Sequence, residues 1–228
     1  MSENKRALIT GASAGFGRAV AHALAERDWQ LIITARGARE LAKVRAVTGA
    51  VAVTGDIADP AHHEQLARAI GSEPLDLVLN NASALGPSPL PPLEKYPIEE
   101  LVAVLDTNVI APLEVLQLTL PLLRAAGGAV VNISSDAAVG AYPGWGGYGA
   151  SKAALDQLTA VLGAEHPELR IYSFDPGDMR TAMHQAAFPG EDISDRPEPE
   201  TVVPALLHLL DTRPPSGRYV ASELPVAS

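Results

Sequence analysis

Apolar residues in this chain are grouped in two ways that alternate along its length. Short, nearly unbroken apolar runs recur at Arg6–Thr10, Gln30–Ala35, Ala50–Thr54, Leu75–Leu79, Gly128–Ile133 and Arg170–Phe174, with a last one at Gly217–Ala221. Runs of this length with few polar interruptions predict strands buried on both faces. Between them, Arg18–Glu26, Arg39–Val47, Pro60–Ile70, Ile98–Ala126, Gly147–Glu165 and Thr201–Leu210 carry apolar residues at helical spacing. Asp59 precedes Pro60 as an N-cap precedes a first-turn proline. Gly177–Pro199 is rich in proline and acid and has no clear period. Strands alternating with helices predict an α/β fold: one doubly wound parallel sheet of about seven strands with helices on both faces. No repeat or linker divides the chain, so residues 1–228 are expected to form one domain.

In such a sheet a ligand binds at the carboxyl ends of the strands. The unusual residues fall there: Gly11–Gly17, Arg36, Asp56, Asn80-Asn81, Ser134-Ser135 and Pro176-Gly177. The first of these, a glycine-punctuated turn between a strand and a helix, is suited to a phosphate, because free N–H groups and the positive end of the helix dipole face the anion.

Composition narrows the function. Of 228 residues, 47% are hydrophobic and 19% charged, as in a compact α/β protein, which argues against disorder. A net charge of −10 makes nucleic acid or an anionic membrane surface an unexpected partner. With no cysteine there is no disulfide or thiolate metal site. The first residues do not read as a leader, and no uninterrupted apolar run reaches about 18 residues, so a cytoplasmic protein is the expectation.

Two candidate chemistries compete. Gly11-Ala12-Ser13-Ala14-Gly15 fits the G-x-S-x-G elbow of serine hydrolases, with Ser13 as nucleophile. Hydrolase sheets build an oxyanion loop before that elbow, however, and only ten residues precede Gly11. The other pattern is Tyr148 and Lys152, four apart at the start of a helix and therefore on one face. An ammonium ~5 Å from a phenolate, at an effective dielectric of ~20, is worth ~3 kcal/mol, or roughly two units off a tyrosine pKa near 10. That would bring the phenol toward neutral pH as a general acid or base. Ser135, at the end of a buried strand, could orient a substrate oxygen beside it.

Thr10-Gly-(x)3-Gly-x-Gly17, Asn80-Asn81-Ala82, Asn108, Ser135, Tyr148-(x)3-Lys152 and Pro176-Gly177 stand in order and spacing that resemble the short-chain dehydrogenase/reductase (SDR) family along essentially the whole chain. The resemblance implies a Rossmann-like domain with a substrate lid at about 178–200. It also implies an NAD(P)-dependent oxidoreductase in which Tyr148 exchanges the proton and Lys152 lowers its pKa and binds the nicotinamide ribose. Ser135 would hold the substrate oxygen, and Asn108 would maintain a water-linked proton path. Pro112, four residues after Asn108, cannot donate to the Asn108 carbonyl and should kink the helix, freeing that carbonyl for such a water. The implied cofactor contacts are Gly11, Ser13, Gly15, Phe16, Gly17, Arg36, Asp56, Ile57, Asn81, Ala82, Tyr148, Lys152, Pro176, Gly177 and Thr181, with no metal.

Cofactor preference is read at the end of the second strand. An acidic residue there would hold a ribose 2′-hydroxyl. This chain has Ala35-Arg36, which suits a 2′-phosphate, with no carboxylate to repel it, so NADP (NADPH) is expected over NAD. Asp56-Ile57 resembles the family's adenine contact. Ser83 departs from the family's usual glycine after Asn-Asn-Ala, and a positive φ there would strain a serine.

Trp145, Met179, Met183, His184 and Leu85 are candidates for a substrate pocket, and His62-His63 read as a solvated helix start. Glu191, Asp192, Asp195, Glu198 and Glu200 read as a mobile acidic rim that would disfavour anionic substrates. A neutral ketone, aldehyde or dicarbonyl, interconverted with its alcohol, is the expected small-molecule partner. Ile98–Ala126 and Gly147–Glu165 hold more alanine and leucine than one sheet face needs, and the resemblance implies a homodimer or homotetramer through them. The alternatives are a cofactor-binding sensor that has lost the chemistry and the Ser13 hydrolase.

Overall fold

The computed structural model describes residues 5–225. Seven strands form one parallel sheet: β1 (Arg6–Thr10), β2 (Gln30–Ala35), β3 (Val51–Thr54), β4 (Leu77–Asn80), β5 (Ala129–Ile133), β6 (Arg170–Asp175) and β7 (Gly217–Val220), in the order β3-β2-β1-β4-β5-β6-β7. The helices are α1 (Gly15–Ala25), α2 (Ala38–Thr48), α3 (Pro60–Ile70), α4 (Ile98–Leu105), α5 (Ala111–Ala126), α6 (Gly146–Glu165), α7 (Ala182–Ala187) and α8 (Val203–Thr212).

The unbroken apolar runs serve two cores at once. Ala7 and Ile9 of β1 face one layer, with α1, α2 and α8, while Leu8 between them faces the other, with α3 and α5. Leu31 and Ile33 against Ile32 divide β2 in the same way, and Leu77 and Leu79 against Val78 divide β4. With a side-chain period of two, only strands apolar at every position can be covered on both faces. Winding reverses between β1 and β4, which opens a crevice at the carboxyl ends of those strands.

Three features differ from the sequence reading. Ile98–Ala126 is not a smooth helix with a kink; α4 and α5 are joined by a π-helical turn, Asp106–Ile110, in which the Ala111 N–H reaches back to the Asp106 carbonyl. Pro112 has no N–H to give to Asn108, and the chain absorbs this by widening one turn. The stretch after Gly177 contains a short helix, α7, whose Thr181 Oγ1 accepts from the His184 N–H. His62 is not solvated: it is 1% exposed and bonded at 2.7 Å to the Thr34 hydroxyl, while His63 bonds the Ile57 carbonyl.

By length and composition the continuous helix Ile98–Ala126 is apolar enough to cross a membrane, with a mean hydropathy of 1.5, although no single run within it is uncharged for long. Here its inward face, including Ala111, Val115, Leu116 and Leu123, covers the sheet.

Candidate active site

The turn after β1 is shaped by a neighbour. The Asn81 side chain donates to the carbonyls of Thr10 (3.0 Å) and Gly11 (3.1 Å), and the Thr10 hydroxyl accepts from the N–H groups of Asn81 and Ala82, each at 3.0 Å. A Cβ on Gly11, where φ is +66°, would lie 2.8 Å from both the Ala82 Cα and the Asn81 amide nitrogen. One on Gly17 would lie 2.7 Å from the Gly11 carbonyl. These two glycines are needed for packing against the loop after β4. α1 then starts at Gly15, three residues earlier than expected, with no side-chain cap on Ala14. Its first N–H groups remain donors for an anion.

A cavity of about 550 Å³ runs from this turn across the ends of β4, β5 and β6. Gly11, Gly15, Phe16, Asn81, Ala82, Pro176, Gly177 and Thr181 line it, as do Ser135, Tyr148 and Lys152. So do all five proposed pocket residues, Leu85, Trp145, Met179, Met183 and His184. A second cavity of about 480 Å³ carries Arg36 and Asp56, and shares Ser83, Leu85 and Met183 with the first. Gly17 and Asn108 support these walls from behind. Ser13 lies beside the loop that carries Arg36, its Oγ 3.9 Å from where a Cβ on Gly37 would sit. Ile57 is 7% exposed within the apolar core rather than on either cavity wall.

Tyr148 is 8% exposed, and its ring stands edge-on to Trp145 with centroids 5.8 Å apart. The Lys152 ammonium lies 5.4 Å from the ring centroid and donates to the Ile133 carbonyl at 2.7 Å. Burial governs both groups. It pushes the phenol up to about 12, against a smaller downward pull from the hydroxyls of Ser83 and Ser135. It pushes the ammonium down to about 8. The expectation that the phenol lies toward neutral pH is therefore corrected: it is raised. Removing water from a phenolate outweighs an ammonium that is itself desolvated and engaged by a carbonyl. At neutral pH the Tyr148 phenol keeps its proton.

The site is tied together by residues from distant elements. Asn108 is fully buried. Its Oδ1 accepts from the Ala84 N–H (2.7 Å) and the Ser83 hydroxyl (3.1 Å), and its Nδ2 donates to the Ala84 carbonyl (2.8 Å) and Ser151 Oγ (2.9 Å). The side chain thus joins the loop after β4 to α6. Ser83 does not have a positive φ, so the expected backbone strain is absent there.

Ser135 Oγ donates to the Asp136 carboxylate at 3.0 Å and accepts from the Ala137 N–H at 3.1 Å. Asp175, which ends β6, accepts from the Gly177 N–H at 3.0 Å and so shapes the Pro176-Gly177 turn.

Arg218 and Asp175 were missed in the sequence. Arg218, on β7, bonds Asp175 (2.7 Å), Asp156 of α6 (3.1 Å) and the Ser135 carbonyl (3.1 Å). The signal was a charge inside each of two sheet strands. Arg36 has a partner the sequence reading lacked: Asp56 stands 3.8 Å away, and its carboxylate also caps the turn at the Ala58 N–H. The acidic rim is also not unopposed. Glu198 pairs with Arg180, Asp195 with Arg196 at 2.7 Å, and Glu200 with Arg18 at 3.8 Å.

The chain as a whole has counterparts among known proteins. The short chain dehydrogenase family model matches residues 5–192. The chain belongs to the short-chain dehydrogenase/reductase family. It is 35% identical to serine 3-dehydrogenase of Rhizobium radiobacter over 184 residues, 76% of this chain and 72% of that one. It is 31% identical to L-xylulose reductase of Bos taurus over 237 aligned positions, 97% of this chain and 94% of that one. A short chain dehydrogenase of Shigella flexneri 2a str. 301, solved in complex with NADP, superposes with a TM-score of 0.88 at 30% identity, covering 96% of this chain and 98% of that one. This SDR protein is therefore an NAD(P)-dependent oxidoreductase. Membership removes the Ser13 hydrolase: the G-x-S-x-G match is a coincidence within the glycine turn, and Ser13 has no hydrogen bond to a histidine among the described residues.

Proposed function

We propose that this SDR protein is an NADPH-dependent reductase of neutral ketones, aldehydes or dicarbonyls, with Tyr148 as the general acid. The observation that carries the reading is the Tyr148 phenol, buried on the wall of a 550 Å³ cavity and held protonated. A carbonyl being reduced needs a proton on oxygen, and an un-ionised phenol in place is a donor.

The cavity fits a dinucleotide. The uncapped start of α1 offers backbone N–H groups to a pyrophosphate, and Lys152 has used one of three N–H donors, on Ile133, leaving others for ribose hydroxyls. When bound, the reduced nicotinamide supplies the hydride, and the protein supplies position and the proton. Ser135 would turn its hydroxyl from Asp136 to the substrate oxygen. Asn108 would keep the loop after β4 in register with α6, with a water-linked proton path past its carbonyl.

Arg36 at the end of β2, the absence of a carboxylate at Ala35 and the NADP carried by the Shigella relative favour NADP over NAD. Asp56 works against this by partly neutralising the guanidinium. The preference for neutral substrates rests on the wall. Asp136, Asp175 and Asp178 line the cavity and, among the described residues, no arginine does. The exposed apolar side chains Ile98, Val102, Ile110 and Val161 on α4 to α6 favour a homodimer or homotetramer through those helices.

Titration with NADPH and NADH, followed by nicotinamide fluorescence, tests the cofactor. NADPH should bind more tightly, and Arg36→Ala should weaken NADPH alone by roughly tenfold, the loss of one charge-assisted contact. Equal or tighter NADH binding would overturn the NADP reading. Tyr148→Phe should then lose at least ~100-fold in kcat on a neutral carbonyl, with NADPH affinity retained.

A further inference from the structure

Four rings that line the 550 Å³ cavity touch one another in series. The Tyr148 ring meets Trp145 edge-on with centroids 5.8 Å apart. Trp145 meets Phe188 at 5.9 Å with the planes tilted by 50°, and Phe188 meets the His184 imidazole at 4.9 Å. The series thus runs from the phenol to the short helix α7. Trp145 stands one residue before α6 and Phe188 one residue after α7. Both are fixed by main chain: the Trp145 carbonyl accepts from the Gly149 N–H at 2.7 Å, and the Phe188 N–H donates to the His184 carbonyl at 3.1 Å.

The rings at the two ends, Tyr148 and His184, are buried, while Trp145 and Phe188 between them are only half-buried. Open ring surface on residues that line a cavity is surface for a ligand to cover. Aliphatic groups would gain from it by area alone. An aromatic group gains more, because its positive edge can meet the negative face of another ring, as the edge-on and tilted pairs here already do. Ring faces also attract cations, but the carboxylates that would reinforce a cation site are already answered. Asp175 pairs with Arg218 at 2.7 Å, Asp178 stands 3.5 Å from Arg196, and Asp136 receives the Ser135 hydroxyl at 3.0 Å.

We propose that the carbonyl substrate carries an uncharged aromatic ring at or next to the carbonyl carbon, seated against Trp145 and Phe188 while its oxygen faces Tyr148. The assignment rests on the reductase reading above and narrows it to aryl ketones and aryl aldehydes.

The test compares acetophenone with cyclohexyl methyl ketone, close in size but without the aromatic ring. Calorimetric titration in excess NADP+, which cannot reduce either ketone, gives the two affinities, and NADPH consumption gives the two kcat/KM values. One ring–ring contact is worth roughly two- to tenfold, so acetophenone should bind about tenfold more tightly through two of them. Trp145→Leu and Phe188→Leu should each lower the acetophenone-to-cyclohexyl ratio by roughly threefold, in affinity and in kcat/KM, and Trp145→Phe should restore most of it. Comparing ratios within each variant cancels any general loss of activity or folding. Equal affinity for the two ketones, no binding of acetophenone, or a ratio unchanged in both leucine variants would overturn the proposal. If acetophenone binds the tighter but neither ketone is reduced, the reductase reading fails and the aromatic site stands. If both are reduced and bound alike, the reductase reading stands and the aromatic site fails.

Discussion

Asn108 and Lys152 are both polar side chains without exposure to speak of, on neighbouring helices, and they are buried in opposite ways. Asn108 makes four hydrogen bonds, which use its amide on both sides. Lys152 makes one, to a carbonyl, and its ammonium is pushed down to about 8. A buried polar group with its partners supplied holds elements in place; one left short of partners is costly but remains available to a ligand. The same site needs both kinds. The amide locks the loop after β4 onto α6, and the ammonium waits with donors to spare.

Removing the satisfied group should have the largest effect. Asn108→Ala leaves the Ala84 N–H and carbonyl and two serine hydroxyls without their partner, so urea unfolding should report a loss of about 4 kcal/mol. A loss below about 1 kcal/mol would mean that water replaces the amide.

Lys152→Met should act in the other direction. The folded value of about 8 lies below the ordinary 10.5, so the folded state carries the cost of the buried charge below pH 8 and is relieved of it as the pH rises toward 10.5. The variant should lose turnover yet unfold at higher denaturant near neutral pH, by up to about 3 kcal/mol at 1.36 kcal/mol per unit. That advantage should shrink steadily above pH 8. Tyr148, with its folded value raised to about 12, contributes stability below pH 10 that is lost as the pH climbs from there toward 12, and this sets the alkaline limit of the comparison.

Arg218→Met probes a third case, a half-buried cation with three partners. Asp175 would be left buried and unpaired, and a destabilisation of about 2 kcal/mol is expected, less than the ~3–5 kcal/mol of a fully buried broken pair because the guanidinium is partly exposed. Since Asp175 shapes the Pro176-Gly177 turn and Arg218 holds the Ser135 carbonyl, kcat should fall further than NADPH affinity. Unchanged kinetics would confine Arg218 to packing.

Much of this was readable along the chain because it is local. Strands apolar at every position can only be covered on both faces, so the doubly wound sheet followed from period alone. Asp59 before Pro60 marked the start of α3, and Tyr148 and Lys152 share a face because four residues make about one helical turn. The pocket candidates Leu85, Trp145, Met179, Met183 and His184 all line the cavity. Local reasoning went wrong where a residue's surroundings come from elsewhere. His62 looked solvated beside His63, yet Thr34 of β2 takes it into the interior. Ile57 follows a strand end but turns inward. Pro112 announced an irregularity, and whether it became a kink or a wider turn depended on the sheet beneath it.

The sequence by itself determined the element order, the crevice at the strand ends and the spacing of Tyr148 and Lys152, all set by backbone geometry over a few residues. Only the tertiary structure decided the charges. Ser83 meets Asn108 across 25 positions, and Arg218 meets Asp175 across 43 and Ser135 across 83. Those pairings depend on which strand lies beside which. The protonation of Tyr148 depends on how much water is excluded around it, and desolvation is a property of the packed volume, not of any stretch of chain.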